Sequence, residues 1–191
     1  NTGIIAGGGI WLEIWGAPDE DLDLSISSST IVNNTSGGDD GGGGGIYLQH
    51  FSNSNINSSI IGYNSPPDIN FTSANPNQSI NLTIDYSDIV GDIDINDNGT
   101  VTWGTGNIDA DPLFVDAANG DYHLSNYSPA IGSGTAAGAP TTDIEGNPRP
   151  NPEGSNPDMG AYENALGSPA NAPPTITSIS NVSILEDASE Q

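Results

Sequence analysis

A short Asp/Asn-rich stretch near the middle of the chain has the residue types and spacing of a calcium-binding loop. Asp94, Asn96 and Asn98 stand at every second position, and Gly99 follows directly. In a loop of the EF-hand type, oxygen ligands occupy the first, third and fifth positions, and a glycine turns the chain at the sixth. The twelfth position, which carries a bidentate Glu in such loops, is Thr105 here. The pattern predicts a structural Ca²⁺ site, and the alternative is an ordinary turn rich in Asn, Gly and Asp.

Further carboxylates lie close to this stretch and in one other loop of the chain. Asp92 lies two residues before the loop and adds a carboxylate to it. The predicted metal ligands are therefore Asp92, Asp94, Asn96 and Asn98. A second candidate calcium site is the acidic loop formed by Asp19, Glu20, Asp21 and Asp23. Hard oxygen ligands of this kind suit Ca²⁺, so the predicted cofactor is a structural calcium ion.

Carboxylates can also catalyse glycoside hydrolysis when two of them flank the scissile bond. The adjacent pair Asp39–Asp40 lies in a glycine-rich run, which is better interpreted as a connector than as a phosphate-binding loop. A lyase that acts on an acidic polysaccharide needs Lys or Arg to abstract a proton and to neutralise the substrate. The chain has no lysine, and Arg149 is its only arginine. We therefore expect no enzymatic activity, and hydrolysis by aspartates alone is the open alternative.

Aromatic and histidine side chains offer a further possible chemistry. Trp11 and Tyr47 hold the same place in two Gly-Gly-Ile-aromatic-Leu phrases, so we expect them to stack on neighbouring levels and to point outward. Together with Trp15 and Tyr63 they could bind sugar rings, or they could simply cover the outer surface. The two histidines lie far apart in the sequence, at His50 and His123, and do not indicate a transition-metal site.

The elements that must position these side chains are identified by a phrase that occurs three times, Ile-x-x-Ser-x-Ile. It stands at Ile26–Ile31, Ile56–Ile61 and Ile84–Ile89. Self-similarity at a period of roughly 30 residues is typical of solenoids, whose units bury their apolar faces only by stacking. We expect short parallel strands with one isoleucine of each phrase inside the stack: Ile26, Ile56 and Ile84. Ser29, Ser59 and Ser87 hold the same place in the three phrases. We also expect stacked Ser or Asn side chains in successive turns to form hydrogen-bonded ladders between the coils.

The charge of the chain narrows the possible partners. Twenty-five acidic residues and one basic residue give a formal net charge of -24. Such a chain cannot neutralise nucleic-acid phosphates or bind an anionic membrane surface. The acidity favours divalent cations or a salty medium, or it simply keeps the protein soluble. No apolar run is long enough to predict insertion into a membrane.

Residues 106–163 differ in character from the repeats and contain five short phrases. The phrases are Asp111–Phe114, Gly120–Leu124, Ser128–Ile131, Asp143–Arg149 and Asp158–Glu163. In this order they resemble the choice-of-anchor Q domain, a C-terminal module of bacterial surface proteins that follows right-handed parallel β-helix repeats. The resemblance implies an all-β protein located outside the cell, with no enzymatic activity.

The predicted organisation follows from the repeats and from this resemblance. Residues 1–105 are expected to form the coils of a right-handed parallel β-helix, and residues 106–163 are expected to cap its open C-terminal end. Residues 164–174 read as a linker, and residues 175–191 resemble the first strand of an immunoglobulin-like or cadherin-like repeat.

The function that these features favour is a structural or adhesive module of a large extracellular surface or fibre protein. Expected partners are neighbouring domains of the same chain, and surface glycans or other surface proteins. The alternative is a carbohydrate-active β-helix, which binds glycans or hydrolyses polysaccharides at a site in coils upstream of Asn1.

Overall fold

The computed structural model describes residues 2–3, 9–13, 23–36, 44–49, 53–65, 67–72, 80–95 and 99–171. Their regular structure is all β, apart from one turn of 3-10 helix at Ala117–Asn119. The strands are β1 Thr2–Gly3, β2 Ile10–Glu13, β3 Asp23–Ser27, β4 Thr30–Val32, β5 Thr35–Ser36, β6 Ile46–Gln49, β7 Asn53–Asn57, β8 Ile60–Gly62, β9 Ile69–Thr72, β10 Ile80–Asp85, β11 Asp88–Val90, β12 Ile93–Ile95, β13 Gly99–Trp103, β14 Phe114–Asp116 and β15 Asp121–Leu124. These residues include no helix long and apolar enough to cross a membrane.

Three parallel sheets run along the stack, and successive coils contribute one strand to each. Their orders are β3-β7-β10-β13, β2-β6-β9-β12 and β4-β8-β11, and β1 also pairs with β5 in parallel. Ile26 is in register with Ile56, and Ile56 with Ile84, so equivalent residues of the repeat lie directly above one another. The parallel β-helix predicted from the repeats is thereby confirmed.

The interior of the coils is aliphatic except for Phe71, because each strand directs alternate side chains inward and these positions hold mostly Ile and Leu. The three predicted isoleucines are nearly inaccessible to solvent, with exposed fractions of 8% for Ile26, 2% for Ile56 and 0% for Ile84. They belong to one continuous core, whose other buried members are Ile31, Ile46, Leu48, Ile61, Ile69, Phe71, Ile80, Leu82 and Ile89.

The serines of the repeat form the ladder that their spacing predicts. The Ser29 N–H donates to Ser59 Oγ, and the Ser59 N–H donates to Ser87 Oγ, each at 3.2 Å. The last rung is Asn107, whose Oδ1 accepts the Ser87 N–H at 3.0 Å. Asn107 lies outside the three repeated phrases, so the repeat does not identify it as a ladder member. Its side-chain oxygen accepts the same kind of hydrogen bond as the serine hydroxyls do.

A second ladder lies at the next corner. Asn64 Oδ1 accepts the N–H of Asn34 at 2.9 Å. The buried Asp68 carboxylate accepts the Asn64 N–H at 2.8 Å and the Asp92 N–H at 3.2 Å. One carboxylate therefore joins two successive levels, and it does so through backbone groups that would otherwise be unsatisfied.

The residues after β13 first continue the stack. The Tyr86 N–H donates to Thr105 O at 2.8 Å, and the Ile108 N–H donates to Ser87 O at 2.9 Å. Ile108 also forms an isolated parallel bridge with Asp88. The segment thus adds a rung at the C-terminal end of the coils, where a cap is expected.

The rest of residues 106–163 lies against the outer face of the β4-β8-β11 sheet, along the side of the stack. A second apolar cluster fills this contact and comprises Val32, Ile60, Leu124, Ala130, Ile131 and Met159. The Ala161 N–H donates to Thr30 Oγ1 at 3.0 Å, and the Gly160 N–H donates to Ser58 O at 2.8 Å. The segment therefore bridges successive coils as well as covering the last one.

Part of the predicted linker also packs against this segment. Leu166 contacts the second apolar cluster, and the Ala170 N–H donates to Asn126 O at 2.7 Å. The packed region therefore extends beyond residue 163, where its end was expected. Residues 172–174 and the predicted strand at 175–191 lie outside the described residues.

Candidate functional site

Two of the four predicted calcium ligands lie at the start of the last coil. Asp94 is the exposed middle residue of β12, between the half-buried Ile93 and Ile95. Asp92 precedes the strand and is also exposed. An extended backbone from Asp92 to Asp94 would place the two carboxylates on one face, because side chains two positions apart in a strand share a face. The other two ligands, Asn96 and Asn98, fall outside the described residues, and the calcium site stays a prediction.

The other candidate groups from the sequence are placed only in part. Asp23 is exposed at the start of β3, whereas the following fall outside the described residues: Asp19, Glu20, Asp21, Asp39, Asp40 and His50. Within the described part of the chain, no three His, Cys, Asp or Glu side chains are arranged to hold a metal ion.

Among the described aromatic side chains, Trp11, Tyr47 and Tyr63 do not form one flat platform. Trp11 and Tyr47 are in register on β2 and β6, as predicted, with ring centroids 6.5 Å apart and planes inclined by 65°. Trp11 is 45% exposed. Tyr63 lies at a different corner, after β8, and Trp15 is outside the described residues. The edge-to-face arrangement favours packing of the two rings on each other over the stacking of one sugar ring on both of them.

Arg149 is the chain's only Lys or Arg residue, and it is buried within residues 106–163, which we call the C-terminal segment. Arg149 Nε lies 3.0 Å from Glu163 Oε1, and both side chains are fully shielded from solvent. Arg149 Nη2 also donates to Gly160 O at 3.0 Å. Glu163 in turn accepts the N–H groups of Asp158 and Asn151 at 2.9 and 3.0 Å. The ion pair and its hydrogen bonds therefore hold the stretch at residues 149–151 against the stretch at residues 158–163.

Asp143 organises a loop in the same way. Its carboxylate accepts the backbone N–H groups of Glu145, Asn147 and Glu163 at 2.9, 2.8 and 3.1 Å. Burial alone would raise the pKa of Asp143. The hydrogen bonds from the Asn147 side chain and from these backbone groups hold that pKa below its ordinary value instead. Asp143 therefore remains ionised and acts as a hydrogen-bond acceptor for the loop.

Asp158 experiences the opposite balance. It accepts the N–H groups of Gly132 and Asn164 at 2.7 and 2.6 Å. Burial nevertheless raises the pKa of Asp158 to about 7, and the nearby Glu163 carboxylate acts in the same direction. The pKa of Glu163 is also raised, because burial outweighs the hydrogen bonds and the attraction of Arg149. Two acids next to a single guanidinium cannot both be fully compensated.

His123 lies on the surface of the segment between two carboxylates. Its Nδ1 is 2.6 Å from Asp121 Oδ1, and its Nε2 is 3.1 Å from Glu145 Oε2. The contacts with Asp121 and Glu145 raise the pKa of His123 above its ordinary value. The ring also packs against Tyr162, with centroids 4.2 Å apart. His123 therefore has a packing and hydrogen-bonding role in the segment.

A further buried acid, Asp88, is the first residue of β11 and faces the start of the segment at Ile108 and Ala110. Asp88 is inaccessible to solvent, and its Oδ1 accepts the Ala110 N–H at 3.1 Å. Its Oδ2 is buried without a hydrogen-bond partner. Burial raises the pKa of Asp88 to about 7, with smaller contributions in the same direction from Asp109 and Asp111. Asp88 was not among the residues predicted from the sequence. It holds the place of Thr30 and Ile60 in the other two repeats, and a charged residue at that place is the signal that could have identified it.

Asp88 makes the stability of the fold depend on pH. Its pKa is about 7 in the folded state and 3.8 in the unfolded chain, so the folded state binds the extra proton. The contribution is complete below about pH 4 and is lost as the pH rises to about 7. The unfolding free energy of the native chain should therefore decrease between pH 4.5 and pH 8. We expect this decrease to be smaller by about 2–4 kcal/mol in Asp88→Asn, as measured by urea denaturation at the two pH values.

The matched control for this prediction is Glu153→Gln, which removes one exposed carboxylate. It corrects for the general repulsion between acidic side chains, which also weakens at low pH. If both variants flatten the pH profile equally, Asp88 does not carry the effect.

Taken together, the buried carboxylates of the described residues bind backbone N–H groups and connect segments. Asp68, Asp143, Asp158 and Glu163 each accept at least two such hydrogen bonds. A carboxylate that accepts two or more backbone N–H groups is fixed in position, and this arrangement suits the support of loops.

Comparisons with protein-family models, with curated proteins and with solved structures find no match to this chain. The conclusions about function therefore rest on the sequence pattern and on the geometry described above.

Proposed function

We propose that this chain is a non-enzymatic structural or adhesive module of a large extracellular surface or fibre protein. The observation that carries the proposal is that the C-terminal segment forms hydrogen bonds to three successive coils. Its backbone bonds to Thr30 in one coil, to Ser58 in the next and to Ser87 in the third. Coils that share a continuous core and an external tie resist separation, as a rigid spacer or a display surface requires.

The role of the buried acids supports the non-enzymatic part of the proposal. Asp143, Asp158 and Glu163 are engaged by backbone N–H groups, and Arg149 is paired with Glu163 and hydrogen-bonded to Gly160. These groups maintain loop geometry, whereas a catalytic acid or base needs access to a substrate proton.

The proposal is tested by comparing adhesion with turnover. Beads coated with the folded chain are expected to bind saturably to extracellular matrix or to cell surfaces, and beads coated with heat-unfolded chain are expected to lose this binding. Incubation with pectin, alginate or a neutral glucan should yield no new reducing ends and no unsaturated products. Turnover of any of these polymers by the purified chain would contradict the proposal.

Calcium is the proposed cofactor, bound near Asp92 and Asp94 at the end of the coils. A ligand that binds only the folded state stabilises it by mass action, by about 2.7 kcal/mol at a hundredfold excess over its dissociation constant. We expect EDTA to lower the melting temperature by roughly 5 °C or more at low salt, and Asp94→Ala to abolish most of this response. Magnesium should substitute poorly, because it requires a tighter octahedral shell.

The control for the calcium experiment is sodium chloride at equal ionic strength. If sodium chloride reproduces the effect of calcium, the acidic residues respond only to charge screening. In that case the stretch at residues 92–99 is an ordinary turn.

A second candidate function is glycan binding, and a cavity beside Tyr63 favours it. This cavity, of about 390 Å³, is lined by Asn33, Tyr63, Asp111, Leu113, Phe114 and Ala117. Tyr63 is 47% exposed, and its hydroxyl donates to Asp111 Oδ1 at 3.3 Å. An aromatic ring beside carboxylate and amide oxygens suits a neutral sugar, whose apolar face packs on the ring while its hydroxyl groups hydrogen-bond.

A glycan array distinguishes the two aromatic sites. Loss of glycan binding in Tyr63→Ala, with binding retained in Trp11→Ala, would assign the site to the cavity beside Tyr63. The reverse pattern would assign it to the Trp11–Tyr47 pair. Absence of binding by the native chain would remove this candidate.

A further inference from the structure

A groove runs along the edge of β4 that lies opposite to β8. It consists of two adjoining cavities of about 450 and 290 Å³. Both cavities are lined by Ile10, Thr30, Ile31, Ile144 and Ala161. The first coil forms one wall of the groove, and the C-terminal segment forms the other. On that second wall Ile144 leaves 70% of its surface exposed, so the segment presents an aliphatic side chain beside the first strand of the β4-β8-β11 sheet.

The backbone of β4 is oriented to bond with a strand in this groove. Ile60 and Asp88 hold the position of Thr30 in the two following coils. The Ile60 N–H donates to Ser29 O, and the Asp88 N–H donates to Ser59 O, both at 2.8 Å. At this position each coil therefore donates to a serine carbonyl of the preceding coil. By the same geometry the Thr30 N–H points into the groove, as on an open sheet edge.

The path of the chain before β2 indicates which register such a strand would take. Thr2 pairs in parallel with Thr35, and Gly3 with Ser36, an offset of 33 residues. The sequence Asn-Thr at positions 1–2 repeats the Asn-Thr at positions 34–35. With this offset, a strand paired with β4 would end two residues before Asn1. The groove thus lies where the coil that contains β1 would place its own third strand.

We propose that the groove beside β4 is a docking site for one strand of a further β-helix coil. The strand is neutral and extended, with an aliphatic residue flanked by two residues that are small or β-branched. Its aliphatic side chain packs on Ile31, and its flanking side chains contact Ile144 and Ala161. The C-terminal segment then also contacts the additional coil, which lies before the first described coil. This inference concerns stacking and does not depend on whether the module is adhesive.

The test adds the six residues Ser-Ser-Thr-Ile-Val-Asn, the sequence of positions 28–33, directly before Asn1. We expect the melting temperature to rise by about 4 °C or more, because apolar area at the open edge becomes buried. Hydrogen exchange of the Thr30 amide should slow by about tenfold or more, because it gains a backbone acceptor. The matched control replaces the isoleucine of the added segment by aspartate, and we expect it to produce neither change.

Ile144→Ser distinguishes docking from a general effect of the extension. In the unextended chain this variant should leave the melting temperature within about 1 °C of the native value, since the side chain is largely exposed. In the extended chain it should remove at least half of the gain. An extension that changes neither the melting temperature nor the Thr30 exchange rate would overturn the proposal, as would an equal effect of Ile144→Ser in both chains.

A second copy of the chain is the rival occupant of the groove. Sedimentation velocity of the unextended chain across a range of concentrations is expected to give a monomer. If it gives a dimer that the six-residue extension dissociates, the groove belongs to a contact between copies, and the proposal is wrong.

Discussion

Replacement of Ile56 by aspartate is expected to unfold the coils. Ile56 is 2% exposed and lies between Ile26 and Ile84 in the β3-β7-β10-β13 sheet, so it packs against the coil before it and the coil after it. A carboxylate at this position has no cation nearby, and burying an unpaired charge costs several kcal/mol. A typical domain is stable by only about 5–15 kcal/mol. We expect far-ultraviolet circular dichroism at 25 °C and pH 7 to show loss of the β signal.

Two substitutions on the same strand serve as controls. Ile56→Val removes one methylene group and should cost about 0.5–1.5 kcal/mol, with the fold retained. Asn55→Asp introduces the same charge on the exposed face, where its carboxylate can still accept the Ser25 hydroxyl that Asn55 Oδ1 accepts at 2.8 Å. It should change stability by less than about 0.5 kcal/mol. An unchanged melting temperature for Ile56→Asp would contradict the assignment of Ile56 to the core.

Removal of the buried cation is expected to have the second-largest effect. In Arg149→Met, the Glu163 carboxylate stays buried and loses its ion-pair partner, and the Gly160 carbonyl loses a donor. Breaking a buried pair on one side costs about 3–5 kcal/mol, since the remaining charge is uncompensated. The pKa of Glu163 is already raised, and it should rise further in the variant. The loss should therefore be larger at pH 8 than at pH 5, where Glu163 can take up a proton.

The double variant Arg149→Met with Glu163→Gln isolates the charge from the packing. It removes both members of the ion pair, and we expect it to regain about half or more of the unfolding free energy lost in Arg149→Met. Urea denaturation at both pH values measures the two differences. If the double variant is less stable than the single variant at pH 8, the hydrogen bonds of Glu163 to Asp158 and Asn151 matter more than its charge.

The position of the C-terminal segment could not be derived from local sequence patterns. The Ala161 N–H and Thr30 Oγ1 are joined by a hydrogen bond across 131 residues. No periodicity links the two positions. Close approach at this contact requires Gly160, because a Cβ there would lie 2.7 Å from Thr30 Oγ1. Gly160 belongs to the Asp158–Glu163 phrase. A glycine there suggests a constrained backbone, but it does not show which residues the backbone contacts.

The ladders also have some members that the sequence predicts and others that only the structure shows. Ser29, Ser59 and Ser87 were predicted to stack because the same residue type recurs at the same place. Asn107 and Asp68 occupy equivalent roles with other residue types, because what the neighbouring N–H requires is an oxygen at the correct distance. Sequence repetition therefore reveals a ladder but not all of its members.

The sequence by itself determined the stacked parallel coils and their isoleucine interior, since a period of roughly 30 residues and the alternation of side chains along a strand are local properties. Only the tertiary structure decided which acids are buried, where Arg149 finds its partner, and how the C-terminal segment lies across successive coils. Those features depend on contacts that follow no repeat. Desolvation and charge act through distance in space and leave no regular spacing in the sequence.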